Sequence, residues 1–369
     1  MLGKLFRVSL FGESHGRYVG VLIEGVPPGI PLTEQDIARE LARRKPGTQY
    51  TSPRREEDIP EILSGVHRGY TTGAPLVVVV KNKDVDSSWY EEVVRYKPRP
   101  GHADLTEKLR SIGFRDYRGG GYHSGRITVG IVVAGAVAKN ILEKYNVEVF
   151  SYLRYLGEIE CRIETTETKE AIIRQKYTEI PCPNEASRKE MEKLLRELIR
   201  VGDSIGGVVE TWIYNLPPGL GEPHHDSLDG DIAKAIFMIP GVRGIEFGSG
   251  FKLARMRGSE ASDSISISEE GDIIIKPGYS GGILGGISTG SPINFRVAIK
   301  PTSTIRLPQK TIDWRTLKES EIIGKGKHDP SIAIRAVPVV EAATSIVLVD
   351  HLMRYFSWRL EQYYRLETS

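Results

Sequence analysis

The hydrophobic positions of this chain change period several times, and each change predicts an element. Leu5 to Phe11 partly alternates apolar and polar residues, the mark of a half-buried strand. Tyr18 to Ile23 is aromatic and β-branched and runs into Val26-Pro27-Pro28-Gly29, so it predicts a second strand closed by a turn. Leu76 to Val80 is continuously apolar and predicts a strand covered on both faces. Helical spacing takes over from Thr33 to Lys45, where Thr33 is the cap, Glu34 and Asp36 open the first turn and cations close the last. Ser124 to Tyr145 is helical with one apolar side, and its Gly130, Ala134, Gly135 and Ala138 predict close packing. Asn184 to Val201 predicts a surface helix with Met191, Leu194, Leu195 and Leu198 inward. Pro338 to Arg359 predicts a last helix, with the proline in its first turn.

Between the first two strands lies Gly12-Glu13-Ser14-His15-Gly16, which matches the G-x-S-x-G of a nucleophile elbow. An elbow requires a helix after the serine. A strand follows instead, so Ser14 and His15 stand at the tip of a glycine-flanked loop and need another chemistry.

Composition narrows the class. The 369 residues are 40% hydrophobic and 27% charged, an ordinary globular balance, and the net charge of +2 excludes a general nucleic-acid or membrane field. The two cysteines, Cys161 and Cys182, have neither metal spacing nor the density of a disulfide framework, which makes a reducing cytoplasm the default. No apolar run approaches the ~18 residues of a membrane span. The chain reads as one domain over 1–369. The stretch from Ile62 resembles that from Ile283, and the stretch from Gly25 resembles that from Asn215, which suggests an internal duplication into about 1–200 and 201–369, with an insertion of about thirty residues in the second half. The alternative is that proline-glycine turns before strands look alike by chance.

Arg118-Gly119-Gly120-Gly121 leads toward the Ser124 helix with Arg126 in its first turn, a pattern suited to an anion and most naturally a phosphate. Further cations stand in loops or at helix ends: Arg43, Arg44, Lys45, Arg54, Arg55, Lys97, Arg99, Arg115, Lys325, Lys327 and Arg335. For any one of them the ordinary reading is solvated surface. Together they favour a small anionic ligand over RNA, whose stacking aromatics are missing. His15, His102 and His328 lie in glycine-bounded loops near cations, which leans toward acid-base work near neutral pH. His224-His225-Asp226 lacks a further ligand at recognisable spacing, so no metal site is expected.

The stretches "FGESHGRYVGVLIEGVPPGIPLT", "RRKPGT", "RPGHADLT", "DYRGGGYHSGRIT", "GDSIGG", "GILGGISTGSPI", "KPTSTI" and "KHDPSIAIRAVPVVEA" together resemble the chorismate synthase family, in its order and over nearly the whole chain. The resemblance implies a carbon-oxygen lyase of the shikimate route to aromatic amino acids. Its substrate is 5-enolpyruvylshikimate 3-phosphate, which loses phosphate and a ring proton in a 1,4-anti elimination to give chorismate. It implies an α+β fold, a β-α-β sandwich of two pseudo-repeated halves with helices between antiparallel sheets. It also implies reduced FMN without net redox change, an association with NADP, a cytoplasmic homotetramer, no nucleic-acid or membrane partner, and reduced flavin supplied by an external reductant or reductase.

Carried over residue by residue, the resemblance makes His15 the acid toward the leaving phosphate and His102 the group that protonates or polarises the reduced flavin, with Ser14 and Asp329 as a proton relay. Arg44, Arg118 and Arg126 would hold the substrate's anionic groups. Tyr122, His123, Ser124, Pro240, Gly241, Gly285, Lys300, Pro301, Thr302, Ser303, Thr304 and Lys327 match positions that line the flavin pocket. Lys327 stands where arginine is usual and loses the bidentate fork, Ser331 stands where cysteine is usual, and Pro46 to Thr51 is one residue shorter than the common form. Two rivals from other classes are a serine hydrolase acting through Ser14 and a non-enzymatic RNA-binding protein.

Overall fold

A computed structural model of the chain describes residues 1–45, 49–51, 56–83, 85–163, 178–269, 271, 273–276, 278–326 and 328–357. Strands β1 (Arg7–Gly12) and β2 (Tyr18–Glu24) form a hairpin, followed by α1 (Glu34–Arg44), β3 (Pro60–Ser64), the short pair β4 (Val66–His67) and β5 (Tyr70–Thr71), and β6 (Leu76–Lys81). Then come α2 (Asp104–Arg110), α3 (Thr128–Leu142), β7 (Glu148–Leu156), β8 (Ile159–Glu160), α4 (Glu185–Val201) and β9 (Gly207–Tyr214). The chain continues through α5 (Leu228–Ile236), β10 (Val242–Phe247), the hairpin β11 (Ile265–Ile267) and β12 (Ile273–Ile275), the pair β13 (Ile283–Leu284) and β14 (Ile287–Ser288), and β15 (Ile293–Ile299). The hairpin β16 (Gln309–Asp313) and β17 (Lys318–Ile322) precedes the long α6 (Ala333–Ser357).

Two antiparallel sheets enclose the helices, as an α+β sandwich requires. One has the order β1-β2-β6-β3 and the other β10-β15-β9-β7-β8. Read from β7, the second sheet runs β7, β9, β15, β10, the same order as the first, with β8 added at the β7 edge. The Pro-Pro-Gly turn and α1 after β2 are matched by a Pro-Pro-Gly turn and α5 after β9. The second sheet begins at Glu148, so the two sheets divide the chain near 147 and not near 200. The extra length of the second half falls in two places, between β7 and β9, where β8 and α4 are inserted, and between β10 and β13, where the β11–β12 hairpin sits.

Helix α3 packs on β1, β2 and β6, helix α6 packs on β7 and β9, and α3 and α6 pack on each other. The predicted apolar side of α3 is in fact nearly its whole circumference, because the helix is enclosed by a sheet, by α1 and by α6. Its small residues let it sit this close. A β-carbon added at Gly130 would lie 2.8 Å from the carbonyl oxygen of Gly20 on β2, and one at Gly135 would lie 2.3 Å from the β-carbon of Ala342 on α6.

Local signals hold where caps set them. Thr33 accepts from the Asp36 N–H while Asp36 receives the Thr33 N–H, a capping box at α1, and Asn184 caps α4. The last helix departs from expectation. It starts at Ala333, whose N–H is received by the Ser331 hydroxyl, and Pro338 lies inside it. A proline there costs roughly 3 kcal/mol relative to alanine, and burial of nearly every side chain from Ala333 to Leu352 outweighs that cost. The segments Gly125–Tyr145 and Ala333–Ser357 also have the length and hydropathy of membrane spans, contrary to the sequence reading. Their apolar windows are 83% and 94% buried inside the protein, as core helices are.

The cysteines require a second correction. The backbone of Leu153 donates to the Pro181 carbonyl, which lays the segment before α4 beside β7 and joins Cys161 to Cys182 in a buried disulfide with Cα atoms 5.8 Å apart. Two cysteines 21 residues apart give no sequence signal of that meeting.

The α3–α6 contact yields a stability prediction. Alanine at Gly135 gains up to about 1 kcal/mol of helix propensity but drives a methyl group into the Ala342 backbone, 2.5 Å from its α-carbon. Overpacking of this kind costs roughly 1–3 kcal/mol, so Gly135→Ala should lower stability in chemical denaturation. A variant as stable as the native protein would refute the close approach.

Candidate active site

The segment from Arg118 to His123 turns through three successive glycines with φ of 59°, 86° and 54° at Gly119, Gly120 and Gly121. Side chains there would be strained and would also collide with functional groups. A β-carbon at Gly119 would lie 2.3 Å from the His15 ring and 2.6 Å from Ser14 Oγ, and one at Gly120 would lie 2.8 Å from the His102 ring. The glycines therefore bring the adjacent Ser14 and His15 together with His102, which is distant in sequence. The Ser14 N–H donates to the Gly121 carbonyl, which ties the β1–β2 loop to this segment. Ser14 stands in a strand-loop-strand hairpin, and no elbow forms.

Both rings are held from behind. His15 Nδ1 lies 2.8 Å from Ser87 Oγ, and the ring meets Tyr90 edge-on at 5.1 Å between centroids. His102 Nδ1 lies 3.2 Å from Asp104 Oδ1 and 3.2 Å from Arg99 Nη2. Burial pushes the His102 imidazole below its ordinary value, a stronger effect than the opposing pull of Asp104. Burial by itself would raise Asp104. The hydrogen bonds from Arg99 and His102 overcome that and hold its carboxyl far below the ordinary carboxylate range.

These groups border a cavity of about 800 Å³ lined, among the described residues, by six cationic side chains, Arg44, Arg99, Arg126, Arg243, Lys300 and Arg335, against two carboxylates, Glu56 and Asp329. Arg44 closes α1, Arg126 precedes α3, and Arg335 stands in the first turn of α6, so three helix ends converge here. A buried carboxylate behind the wall orients two of them. Asp58 bonds Arg126 Nη1 through one oxygen and lies 3.3 Å from Arg44 Nη1 through the other. Arg126 Nε also donates to Asn82 at 2.7 Å, and Arg44 Nε to Thr128 at 2.8 Å. Burial, then the nearby Arg335, pushes the Arg44 guanidinium below its ordinary value. Lys300 is likewise lowered, by burial and by Arg243. A dianionic ligand would relieve this crowding of positive charge.

The residues expected from sequence divide. Tyr122, His123, Ser124, Pro240, Gly241, Lys300, Thr302, Ser303 and Thr304 line the cavity, as do Arg44, Arg126, His102, His328 and Asp329. Ser14 and His15 lie against Gly119, which also lines it. Ser14 and Asp329 have different immediate partners, since Asp329 pairs with Arg335 at 2.8 Å. Arg118 is turned away: it is forked onto Asp116 at 2.8 and 2.9 Å and is not among the lining residues. Pro301 and Gly285 also do not line the cavity, and Gly285 forms the β13–β14 turn. Arg43 is buried against Glu341 and Glu40 at the α1–α6 contact. Lys327, Arg54, Arg55 and residues 46–48 of the short loop lie outside the described residues. Sequence reasoning missed Glu56, Asp58, Asp104 and Arg243. Only Asp104 had a signal, its place two residues after His102 in the same motif.

The chorismate synthase family model matches residues 6–353. The chorismate synthase of Aeropyrum pernix is 51% identical over 352 residues, covering 95% of this chain and 92% of the relative. That of Pyrococcus abyssi is 48% identical over 362 residues, covering 98% and 99%. A crystal structure of chorismate synthase superposes with a TM-score of 0.76 at 30% identity and covers 98% of both chains.

Removing the shared carboxylate tests the electrostatics. Asp58→Ala removes the carboxylate shared by two buried guanidinium groups and leaves Arg126 with Glu56 alone, at 3.7 Å, which should cost about 3–5 kcal/mol. Added inorganic phosphate should raise the unfolding temperature of this variant more than that of the native protein. An equal response of the two would mean that Asp58 does not balance an anion site.

Proposed function

This chain belongs to the chorismate synthase family, and we propose from that premise how its own residues divide the work. The activity is the lyase reaction of that family, loss of phosphate from 5-enolpyruvylshikimate 3-phosphate to give chorismate in aromatic amino-acid biosynthesis. The observation that carries the site assignment is the convergence of His15 and His102 on the Gly119–Gly120 backbone at the wall of a cation-lined cavity.

In this reading Arg44, Arg126 and Arg335 hold the substrate's phosphate and carboxylate, with Arg44 and Arg126 pre-oriented by Asp58. Arg118 is left out because Asp116 occupies its fork. His15, with Nδ1 on Ser87, delivers a proton to the departing phosphate. His102, neutral in its buried setting, holds or accepts a proton beside Gly120. Ser14 and Asp329 complete the proton-handling set.

The donor set also suits reduced FMN. The cavity joins an apolar wall, Ile239, Pro240, Ile332 and Val339, that would take a flat ring to cations and hydroxyls at Lys300 and Thr302 to Thr304 that would take a phosphate. When bound, reduced flavin supplies electron density to the substrate as phosphate leaves. Tyr122, His123, Ser124, Gly241 and Lys327 belong to the same assignment. Supply of reduced flavin by an external reductase, the association with NADP, work in the cytoplasm and assembly as a homotetramer rest on the family alone. The compartment owes nothing to the cysteines, since a buried disulfide is uncommon in a reducing cytosol. The matching strand orders of the two sheets support an internal duplication.

Protein mixed anaerobically with reduced FMN and 5-enolpyruvylshikimate 3-phosphate should release chorismate and phosphate in equal amounts, and should release neither with oxidised FMN and no reductant. His15→Ala and His102→Ala should each slow the chemical step by roughly 10²-fold or more while remaining folded. Turnover without flavin, or near-native rates in both variants, would overturn this division of work.

A further inference from the structure

The nitrogen of His102 that faces away from Gly120 has two partners of opposite character at the same distance. Asp104 Oδ1, an acceptor, and Arg99 Nη2, a donor, each lie 3.2 Å from Nδ1. The three atoms form a closed triangle, because Arg99 Nη2 also donates to Asp104 Oδ1 at 2.9 Å. The other carboxylate oxygen receives the Arg99 backbone N–H at 2.9 Å and its Nε at 2.8 Å. Asp104 is 2% exposed and Arg99 5%, so neither can swing away without leaving a buried charge unpaired.

Chemistry gives the triangle a use. With a proton on Nδ1, the ring donates to the carboxylate. With the proton on Nε2, Nδ1 accepts the second hydrogen of Arg99 Nη2. Both bonds are charge-assisted, so Nδ1 has a partner in either tautomer, and a proton on Nδ1 leaves the second Arg99 Nη2 hydrogen without its acceptor, which keeps the two forms close in energy. The protonated ring, which would need Asp104 alone, is disfavoured by burial and by the charges of Arg99 and Lys300, while Arg115 stands 3.9 Å from the same carboxylate oxygen. The two neutral forms are therefore the ones that compete. The neighbouring His123 shows the contrast: its Nε2 lies 2.7 Å from Glu107, an acceptor only, which fixes the proton there.

We propose that Asp104 and Arg99 hold the His102 ring in one place while accommodating its proton on either nitrogen. Without the ring turning, Nε2 beside Gly120 then presents a lone pair when the proton is on Nδ1 and an N–H when it is on Nε2. A proton taken up at Nε2 of the first form gives a short-lived imidazolium paired with Asp104, which hands the proton back from the same nitrogen. Asp104 is then a positioning residue for the family reaction, a conclusion that rests on His102 as a proton-handling group. Replacement by asparagine keeps the shape but changes the character: its oxygen stays with Arg99 and its amide N–H points at Nδ1, which locks the proton on Nε2.

Two-bond ¹H–¹⁵N correlation spectra of protein labelled at the histidine rings read the tautomer directly. At neutral pH both His102 nitrogens of the native protein should show shifts between the protonated and unprotonated extremes, and Asp104→Asn should move them to the pure Nε2–H pattern. The same variant should lose ~10²-fold or more in kcat with KM little changed, and Asp104→Glu should recover part of kcat. A native spectrum already at one pure tautomer overturns the proposal, and it decides the matter even if Asp104→Asn does not fold. So does an Asp104→Asn variant with native kcat and an unmoved spectrum. A His102→Gln variant with native kcat would remove the role in catalysis, even where a mixed spectrum upholds the holding arrangement.

Discussion

The contact between Gly135 of α3 and Ala342 of α6 sets the distance between the two halves of this protein. Each helix packs on its own sheet, and where they meet Gly135 leaves room for the Ala342 methyl group but not for a second one. The cavity lies at the beginnings of these helices, with Arg126 and Thr128 on the α3 side and Arg335, Ala336 and Val339 on the α6 side. Closely packed interiors do not deform smoothly. A change in the helix-to-helix spacing would therefore move the substrate-facing arginines relative to one another, and the site inherits its dimensions from an apolar contact that touches no ligand.

A second constraint is electrostatic. Six cations around one cavity repel each other, and burial makes the repulsion worse. The fold answers with carboxylates, Asp58 and Asp104 set just behind the wall and Asp329 within it. Asp58 serves Arg44 and Arg126, Asp104 serves Arg99, and Asp329 serves Arg335. These carboxylates orient the cations through hydrogen bonds and leave the cavity positive enough to attract phosphate and carboxylate. Arg118 illustrates the same rule from the other side, because Asp116 takes its Nε and Nη2 donors side-on and holds it out of the cavity lining.

Glycine plays a different part at the centre. At Gly119 and Gly120 the absent β-carbons are what allow the His15 and His102 rings to reach one short backbone stretch. The two rings approach different glycines, His15 at Gly119 and His102 at Gly120. Each has its own partner at Nδ1, a hydroxyl for His15 and the Arg99–Asp104 pair for His102.

The sequence by itself determined whatever depends on neighbours along the chain. The capped helices at Thr33 and Asn184, the buried strand at Leu76, the hairpin that denies Ser14 an elbow and the ordered family motifs are all local patterns, set by period, caps and turn chemistry. Only the tertiary structure decided which charges meet. Asp58 reaches Arg126 and Arg44, the glycine triplet reaches two histidines, Cys161 reaches Cys182, and Pro338 survives inside α6 because the core around it outweighs a missing hydrogen bond. Nothing in the spacing of those residues encodes their meeting. Partner choice between distant side chains follows from how two sheets close over shared helices, and that closure is a property of the whole chain.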